Sequence, residues 1–421
     1  MTSRPTRRRF LTLAGAAAAG SLVPTATSCS RAQQRSAPSA EAKAAAAAVN
    51  AFAADLYPHI HKEKGSLFTS PLSIAAALTM TSAGARGRTL QEMEKVLHLP
   101  TNPHAAFGQL LAHLNDTSRP ASKRGYQLSV ANAIWAMKGF PWHEAFITLM
   151  QKHYGAGLIE VDFSDSEAAR QQINQWVEKA TQEKIKDLIP EGVLTALTRM
   201  VLTNAIYFKG TWQTQFDPKQ TQNAAFTRET GSKATVPLMT QTGEFRYGEF
   251  TMEQMPSRPE TVQVLELPYS GQELSLLVFL PDDPTGVQRL ARWLTVERLA
   301  RPELHKQRVR VFLPRFKAES ALSLKPVLTA MGMPTAFSDE SDFTGMSPKG
   351  KDLVISHVLH KAFVEVNEEG TEAAAATAVV IKERSAPREV VFRADRPFVF
   401  AIRDLATGAV LFLGRYTGPT G

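Results

Sequence analysis

The chain has 421 residues, 43% hydrophobic and 21% charged, with 25 glycines, 25 prolines and one cysteine; this is globular composition and excludes a disordered, collagen-like or coiled-coil protein. A single cysteine excludes an internal disulfide, a thiolate zinc cluster and a Cys-x-x-Cys redox pair, so stability must come from packing. The formal charge of +8 includes Arg4, Arg7, Arg8 and Arg9 in an N-terminus without acids, and without them 44 bases face 40 interspersed acids, which leaves no basic block to track nucleic acid.

Residues 6–11, Thr-Arg-Arg-Arg-Phe-Leu, precede a mild, uncharged apolar run over 12–23. A basic stretch followed by such a run reads as an export signal, and it is shorter than the ~20 residues of a spanning helix. The paired arginines before Phe-Leu resemble the bacterial twin-arginine signal. Ala26-Thr27-Ser28-Cys29 resembles a lipobox, which makes Cys29 the candidate lipid-attachment residue. Lipoboxes usually carry Leu where Ala26 stands, and a plain signal-peptidase site fits the same segment. Residues 30–40 are mostly Ser, Ala, Gln and Arg, as in a disordered tether. The expected organisation is an export signal over 1–28, a tether over 29–41 and one folded domain over 42–421. The expected location is extracellular or at the cell surface, touching a membrane only through a lipid on Cys29.

Residues 44–56 place Val49, Phe52, Ala53 and Leu56 at helical spacing and predict an amphipathic first helix. Residues 72–83, behind Ser70-Pro71, are apolar nearly all round, as a fully buried helix must be. Leu90, Met93, Val96 and Leu97 predict a one-sided helix over 88–99, and Ile173, Trp176, Val177 and Ala180 another within 165–188. The later chain changes period. Runs at 262–267, 274–280, 309–313, 362–366, 398–402 and 410–413 are β-branched, aromatic or leucine-rich and bounded by Pro, Gly, Asp or Asn, the signature of strands. Helices first and strands later, without regular alternation or internal repeat, predict an α+β fold over a doubly wound parallel sheet.

Catalytic signatures are missing from the sequence. It has no Gly-x-Ser-x-Gly, no His-Glu-x-x-His and no phosphate-cradling or dinucleotide-binding glycine loop. His59 with His61, and His357 with His360, lack a third ligand at metal-binding spacing and read as structural or surface histidines. Neither an enzyme nor a metal or cofactor is expected.

The informative stretch is 368–387, Glu-Glu-Gly-Thr-Glu-Ala-Ala-Ala-Ala-Thr-Ala-Val-Val-Ile-Lys-Glu-Arg-Ser-Ala-Pro, between two strand-like runs. A connection of ~20 residues is far longer than usual, and such loops are usually functional. One reading is an alanine-rich helix over 368–378. The other is a segment able to enter a sheet, where alternate side chains share a face. Thr371, Ala373, Ala375 and Thr377 would then face one way, small enough to slide between neighbours.

This segment resembles the hinge and reactive-centre loop of the serpins, in which Glu, then Gly-Thr, then four small residues and a Thr mark members that insert the loop. Further segments resemble serpin signatures in the right order: 70–74 (SPLSI), 203–212 (TNAIYFKGTW), 264–269 (VLELPY), 313–316 (LPRF), 358–362 (VLHKA), 397–400 (PFVF) and 412–415 (FLGR). The resemblance runs from about residue 42 to Pro419. It implies three β-sheets with eight or nine helices around them and an exposed loop at about 368–388. It further implies a monomeric suicide substrate. A serine protease would cut the loop, and the freed strand would insert into the central sheet while the acyl-enzyme is trapped.

Carried over residue by residue, the hinge is Glu368, Gly370, Thr371, Ala373, Ala374, Ala375, Ala376 and Thr377. Fourteen residues beyond Gly370, the family's frame gives Arg384 before the scissile bond and Ser385 after it; Lys382 is the nearest other basic residue. Arg384 suits a trypsin-like pocket with a buried carboxylate. Ser70, Ser73, Asn204 and His360 resemble the shutter under the sheet, and Trp212, Arg315 and Glu368 the breach where the loop enters. Arg119, Lys123 and Arg124 fall where some serpins bind sulfated glycans but read as a solvated loop. The alternative function is a non-inhibitory serpin acting as a carrier.

Overall fold

A computed structural model describes residues 36–63, 65–116, 124–155, 158–252, 259–371 and 389–419. The expected export signal and Cys29 lie outside the described residues. Nine α-helices are described: α1 (Ala40–Ile60), α2 (Pro71–Ser82), α3 (Gly87–Leu97), α4 (Pro103–Leu114), α5 (Glu144–Tyr154), α6 (Ser166–Ala180), α7 (Gly286–Trp293), α8 (Val296–Ala300) and α9 (Lys325–Met331). The strands are β1 (Leu67–Thr69), β2 (Tyr126–Met137), β3 (Leu158–Val161), β4 (Met200–Thr211), β5 (Gln222–Thr227), β6 (Lys233–Met252), β7 (Glu260–Pro268) and β8 (Leu274–Pro281). They continue with β9 (His305–Pro314), β10 (Phe316–Ser323), β11 (Ile355–Val366), β12 (Gly370–Thr371), β13 (Val390–Arg393), β14 (Phe398–Asp404) and β15 (Val410–Tyr416).

A nine-stranded sheet runs β1-β15-β14-β8-β7-β6-β9-β13 with β5 beside β6, and a six-stranded sheet runs β10-β11-β12-β4-β2-β3. The twenty-residue β6 serves two sections. Its residues 233–238 pair β5 and 238–247 pair β9, whereas 246–252 pair β7. Two sections sharing β6, together with the six-stranded sheet, make up the three sheets that the resemblance implies.

The six-stranded sheet is covered on both faces, and the side-chain alternation of β4 shows how. Met200, Leu202, Ile206 and Phe208 enter the main core, whereas Val201 and Ala205 join Ile173 and Val177 of α6 in a second cluster. Under the main-core face lies α2, all twelve of whose residues are buried. Pro71 occupies its first turn, where its missing N–H costs nothing, and the Ser70 side chain caps it by accepting the Ser73 N–H at 3.2 Å.

The predicted first helix extends to α1 and the buried helix becomes α2. The helix predicted within 165–188 ends sooner, at Ala180. Beyond it Gln182, Glu183 and Asp187 take positive φ. The Asn174 amide clamps Ile189 by accepting its N–H at 2.8 Å and donating to its carbonyl at 3.0 Å. Ile185, Leu188 and Ile189 are buried against α6 as a folded-back loop, so their apolar character extends the helical pattern without extending the helix.

Candidate functional site

Glu368 is where the chain turns back from β11 into the sheet. The Asn367 side-chain oxygen accepts the N–H groups of Glu369 at 3.0 Å and Gly370 at 3.2 Å, while the Asn367 backbone N–H donates to the Gly370 carbonyl at 2.8 Å. This tight reversal places Gly370 and Thr371 between β11 and β4, with Val366 opposite Thr371, Gly370 opposite Thr211 and Thr371 opposite Gly210. Gly370 has φ 155°, and a Cβ there would collide with the Gly210 carbonyl oxygen and lie 2.7 Å from the Thr211 Cα. Only glycine fits this approach. Thr371 is fully buried, its hydroxyl 2.8 Å from the Tyr269 hydroxyl.

Trp212 pins the turn from below. Its indole N–H donates to the Asn367 carbonyl and its backbone N–H to the Glu369 carbonyl, both at 2.9 Å, and its ring stacks on Tyr269 at 4.7 Å. The buried Glu368 carboxylate accepts hydrogen bonds from the Arg315 guanidinium and, at 2.7 Å, from the Thr221 hydroxyl. Burial opposes ionisation of Glu368, but these bonds together outweigh it and hold its pKa below the ordinary carboxylate value.

A second polar group sits lower in the same sheet. His360 on β11 lies opposite Asn204 on β4, and Asn204 opposite Asn132 on β2, so one row of polar side chains crosses three strands. The His360 Nε2 accepts the Ser70 N–H at 3.1 Å, which leaves the proton on Nδ1 to donate to the Asn204 side-chain oxygen. The Asn204 amide donates to Ser73 Oγ at 2.6 Å and to the Asn132 oxygen at 2.7 Å. Ser73 Oγ donates to that same Asn132 oxygen at 2.8 Å, and the Asn132 amide to the Ser73 carbonyl at 3.0 Å. Ser70 Oγ donates to the Leu411 carbonyl at 2.6 Å, tying the cluster to the other sheet. Burial holds the His360 pKa down to about 3, so the imidazole is neutral, as its acceptor role requires.

The structure thus brings Ser70, Ser73, Asn204 and His360 together, and likewise Trp212, Arg315 and Glu368. Gly370 and Thr371 are paired in the sheet. Ala373, Ala374, Ala375, Ala376, Thr377, Arg384 and Ser385 lie outside the described residues, as do Arg119 and Lys123, while Arg124 sits 5.7 Å from the Tyr126 ring. Sequence reasoning missed Asn132 and Asn367. A lone Asn inside the apolar run 128–136 is the signal that could have found the first. Among the described residues, no three His, Cys, Asp or Glu side chains could hold a metal, and no helix is long and apolar enough to cross a membrane.

Below β12, β4 and β11 pair directly, in parallel, from Ile355–Met200 to Phe363–Tyr207. Among the described residues this is the sheet's one parallel contact between two long strands, and β12 occupies its upper end.

Comparison with known proteins agrees with this geometry. The family model described as Serpin (serine protease inhibitor) matches residues 47–419. The human (Homo sapiens) leukocyte elastase inhibitor is 41% identical over 384 residues, covering 87% of this chain and 97% of its own. Among solved structures, Serpin48 of the insect Tenebrio molitor superposes with a TM-score of 0.78 at 34% identity, covering 89% of this chain and 98% of its own. Uncleaved ovalbumin superposes with a TM-score of 0.76 at 30% identity, covering 89% and 100%. With the α+β architecture, the two-residue entry strand and these matches in hand, the chain belongs to the serpin family.

Proposed function

We propose that this serpin inhibits Arg-specific serine proteases by trapping them after cleavage between Arg384 and Ser385. The observation that carries the reading is the seating of Gly370 and Thr371 between β4 and β11. The protease serine Oγ bonds to the Arg384 carbonyl carbon, the Arg384–Ser385 peptide bond breaks, and the new amine leaves with a proton on Ser385. Insertion of the freed strand then replaces one parallel ladder by two antiparallel ones, which are more stable per residue.

Continuing both observed registers by six residues places Thr377 opposite Asn204 on one side and His360 on the other. The spacing of these two rises from ~4.8 Å to about twice that, so their hydrogen bond must break. Thr377 has the hydroxyl to replace it, donating to the Asn204 oxygen and accepting from His360 Nδ1. Ala373 and Ala375 fall on the same face as Thr371 and bring no bulk against the core. Ser70, Ser73, Asn204 and His360 act as the shutter in this reading, and Trp212, Arg315 and Glu368 as the breach.

Relatives named for elastase inhibition favour a protease with a small primary pocket, whereas Arg384 favours one with a buried carboxylate. Primary specificity follows the residue that enters the pocket, and this chain supplies Arg there. The twin arginines and Cys29 support export by the twin-arginine route with lipid attachment at the cell surface.

The experiment mixes the mature chain with trypsin, and separately with elastase, at near-equimolar ratio. A band at the summed mass that survives denaturation, with a fragment beginning at Ser385, is expected for trypsin. Cleavage without a stable complex would hand the reading to a non-inhibitory carrier, and trapping by elastase alone would relocate the reactive bond. Radiolabelled palmitate incorporation lost on Cys29→Ala tests the anchor.

A further inference from the structure

On the solvent face of the β13-β9-β6 section is a cavity of about 420 Å³ whose walls include Lys219, Gln222, Thr240, Arg310, Phe312 and Arg393. Register builds it: Arg393 lies opposite Phe312, and Phe312 opposite Thr240, in one row across three strands. The Arg393 guanidinium sits 4.8 Å and the Arg310 guanidinium 5.2 Å from the centre of the Phe312 ring. Two cations thus share one aromatic ring. Arg393 is matched by Asp395 at 3.0 Å, but among the described residues Arg310 and Lys219 have no carboxylate partner, and no acid lines the cavity. Beside Arg310 in the next row stands Val391, 52% exposed and one of two large apolar side chains so exposed among the described residues.

A cationic pocket with an apolar floor and an exposed valine at its edge fits a protein segment that carries a carboxylate. Its place in the chain says which protein. β13 is the strand into which the reactive loop leads, and chain geometry keeps Arg384 within ~18 Å of Glu389, the residue before it. A protease gripping Arg384 is therefore kept near the start of β13, whose far end, Arg393, lines the pocket. We infer that the Arg310–Phe312–Arg393 pocket receives an acidic segment on the rim of the target protease and selects among Arg-specific proteases by their surface charge. The inference rests on the protease reading above.

The test uses the whole mature chain with two trypsins, one of net acidic and one of net basic surface, each with its active-site serine replaced by alanine so that docking is read without acylation. Arg310→Glu combined with Lys219→Glu should weaken docking of the acidic trypsin about tenfold at low salt, flatten its salt dependence and leave or strengthen docking of the basic one. An unchanged melting temperature shows that the variant is folded. Equal loss for both trypsins, or no loss for the acidic one, overturns the inference. So does a variant that loses only heparin binding, which would assign the pocket to sulfated glycans. Docking as expected, with no denaturation-resistant complex from active trypsin, would instead sink the trapping reading and leave the pocket standing.

Discussion

The nine-stranded and six-stranded sheets differ in what holds their neighbouring strands together. In the larger sheet every residue of β8, β14 and β15 is buried, and the β7-β8-β14-β15 ladders are antiparallel. Phe400 packs between Phe68 at 5.8 Å and Phe316 at 5.2 Å, and the buried Arg403–Glu266 pair is closed at 2.6 Å. In the smaller sheet the middle contact is a parallel pair crossed by the Asn132-Asn204-His360 row. Hydrophobic packing is lost wholesale if strands part, because a void forfeits every contact at once. A hydrogen-bonded row can be handed to a new partner, because each donor and acceptor needs only one replacement. On the proposed mechanism, one sheet stays shut and the other exchanges partners.

The largest effect should come from the sheet that stays shut. Phe400→Ala should lower unfolding stability by about 3–5 kcal/mol, read by denaturant titration, yet leave the stoichiometry of protease trapping unchanged per folded molecule. A variant that keeps its stability would show that the larger sheet repacks, and the contrast would fail.

Acid should weaken the exchanging sheet. His360 has a folded pKa depressed to about 3, against ~6.5 in the unfolded chain. Between those values the unfolded state binds the extra proton, so stability is full above the unfolded value and declines as pH falls toward the folded one. From pH 7 to pH 5 the loss is about 2 kcal/mol. It should shrink in His360→Gln, whose amide can donate to Asn204 but does not titrate. An identical pH profile in that variant would remove His360 as the cause.

The smallest effect concerns the partner that replaces the bond. Thr377→Val should leave the uncleaved chain's melting temperature unchanged, because Asn204 and His360 bond each other until the strand enters. It should lower the stability of the cleaved, inserted form by about 1–2 kcal/mol and raise the number of inhibitor molecules consumed per protease trapped. Equal stability of both cleaved forms would place a different residue between Asn204 and His360.

How legible these sheets were depends on the same division. α2 could be read because it is apolar all round, and the late strands because their runs are short and bounded. β6 could not: Thr, Gln, Gly and Glu fill a long strand whose burial alternates irregularly, and its two sets of partners decide its conformation. The helix end at Ala180 was hidden because Ile185, Leu188 and Ile189 are buried by a loop that Asn174 holds, which no periodicity encodes. Each polar member of the row reads singly as an ordinary core residue. Resemblance picked out Ser70, Ser73, Asn204 and His360, and only the register across β2, β4 and β11 added Asn132. The resemblance picked out Gly370, but the reason glycine stands there, a backbone approach that leaves no room for a Cβ, belongs to the folded chain.

The seating of Gly370 and Thr371 also bears on speed. In the proposed reaction, insertion competes with water for the acyl bond, and whichever finishes first decides between inhibitor and spent substrate. A free segment seeking its place in a sheet must first close a loop, an entropic step that precedes any stabilising contact. Here two residues are already paired, with Tyr269, Trp212 and Asn367 holding them in register. On that mechanism, a cut strand would propagate from an existing nucleus, one residue at a time, with loop closure already behind it.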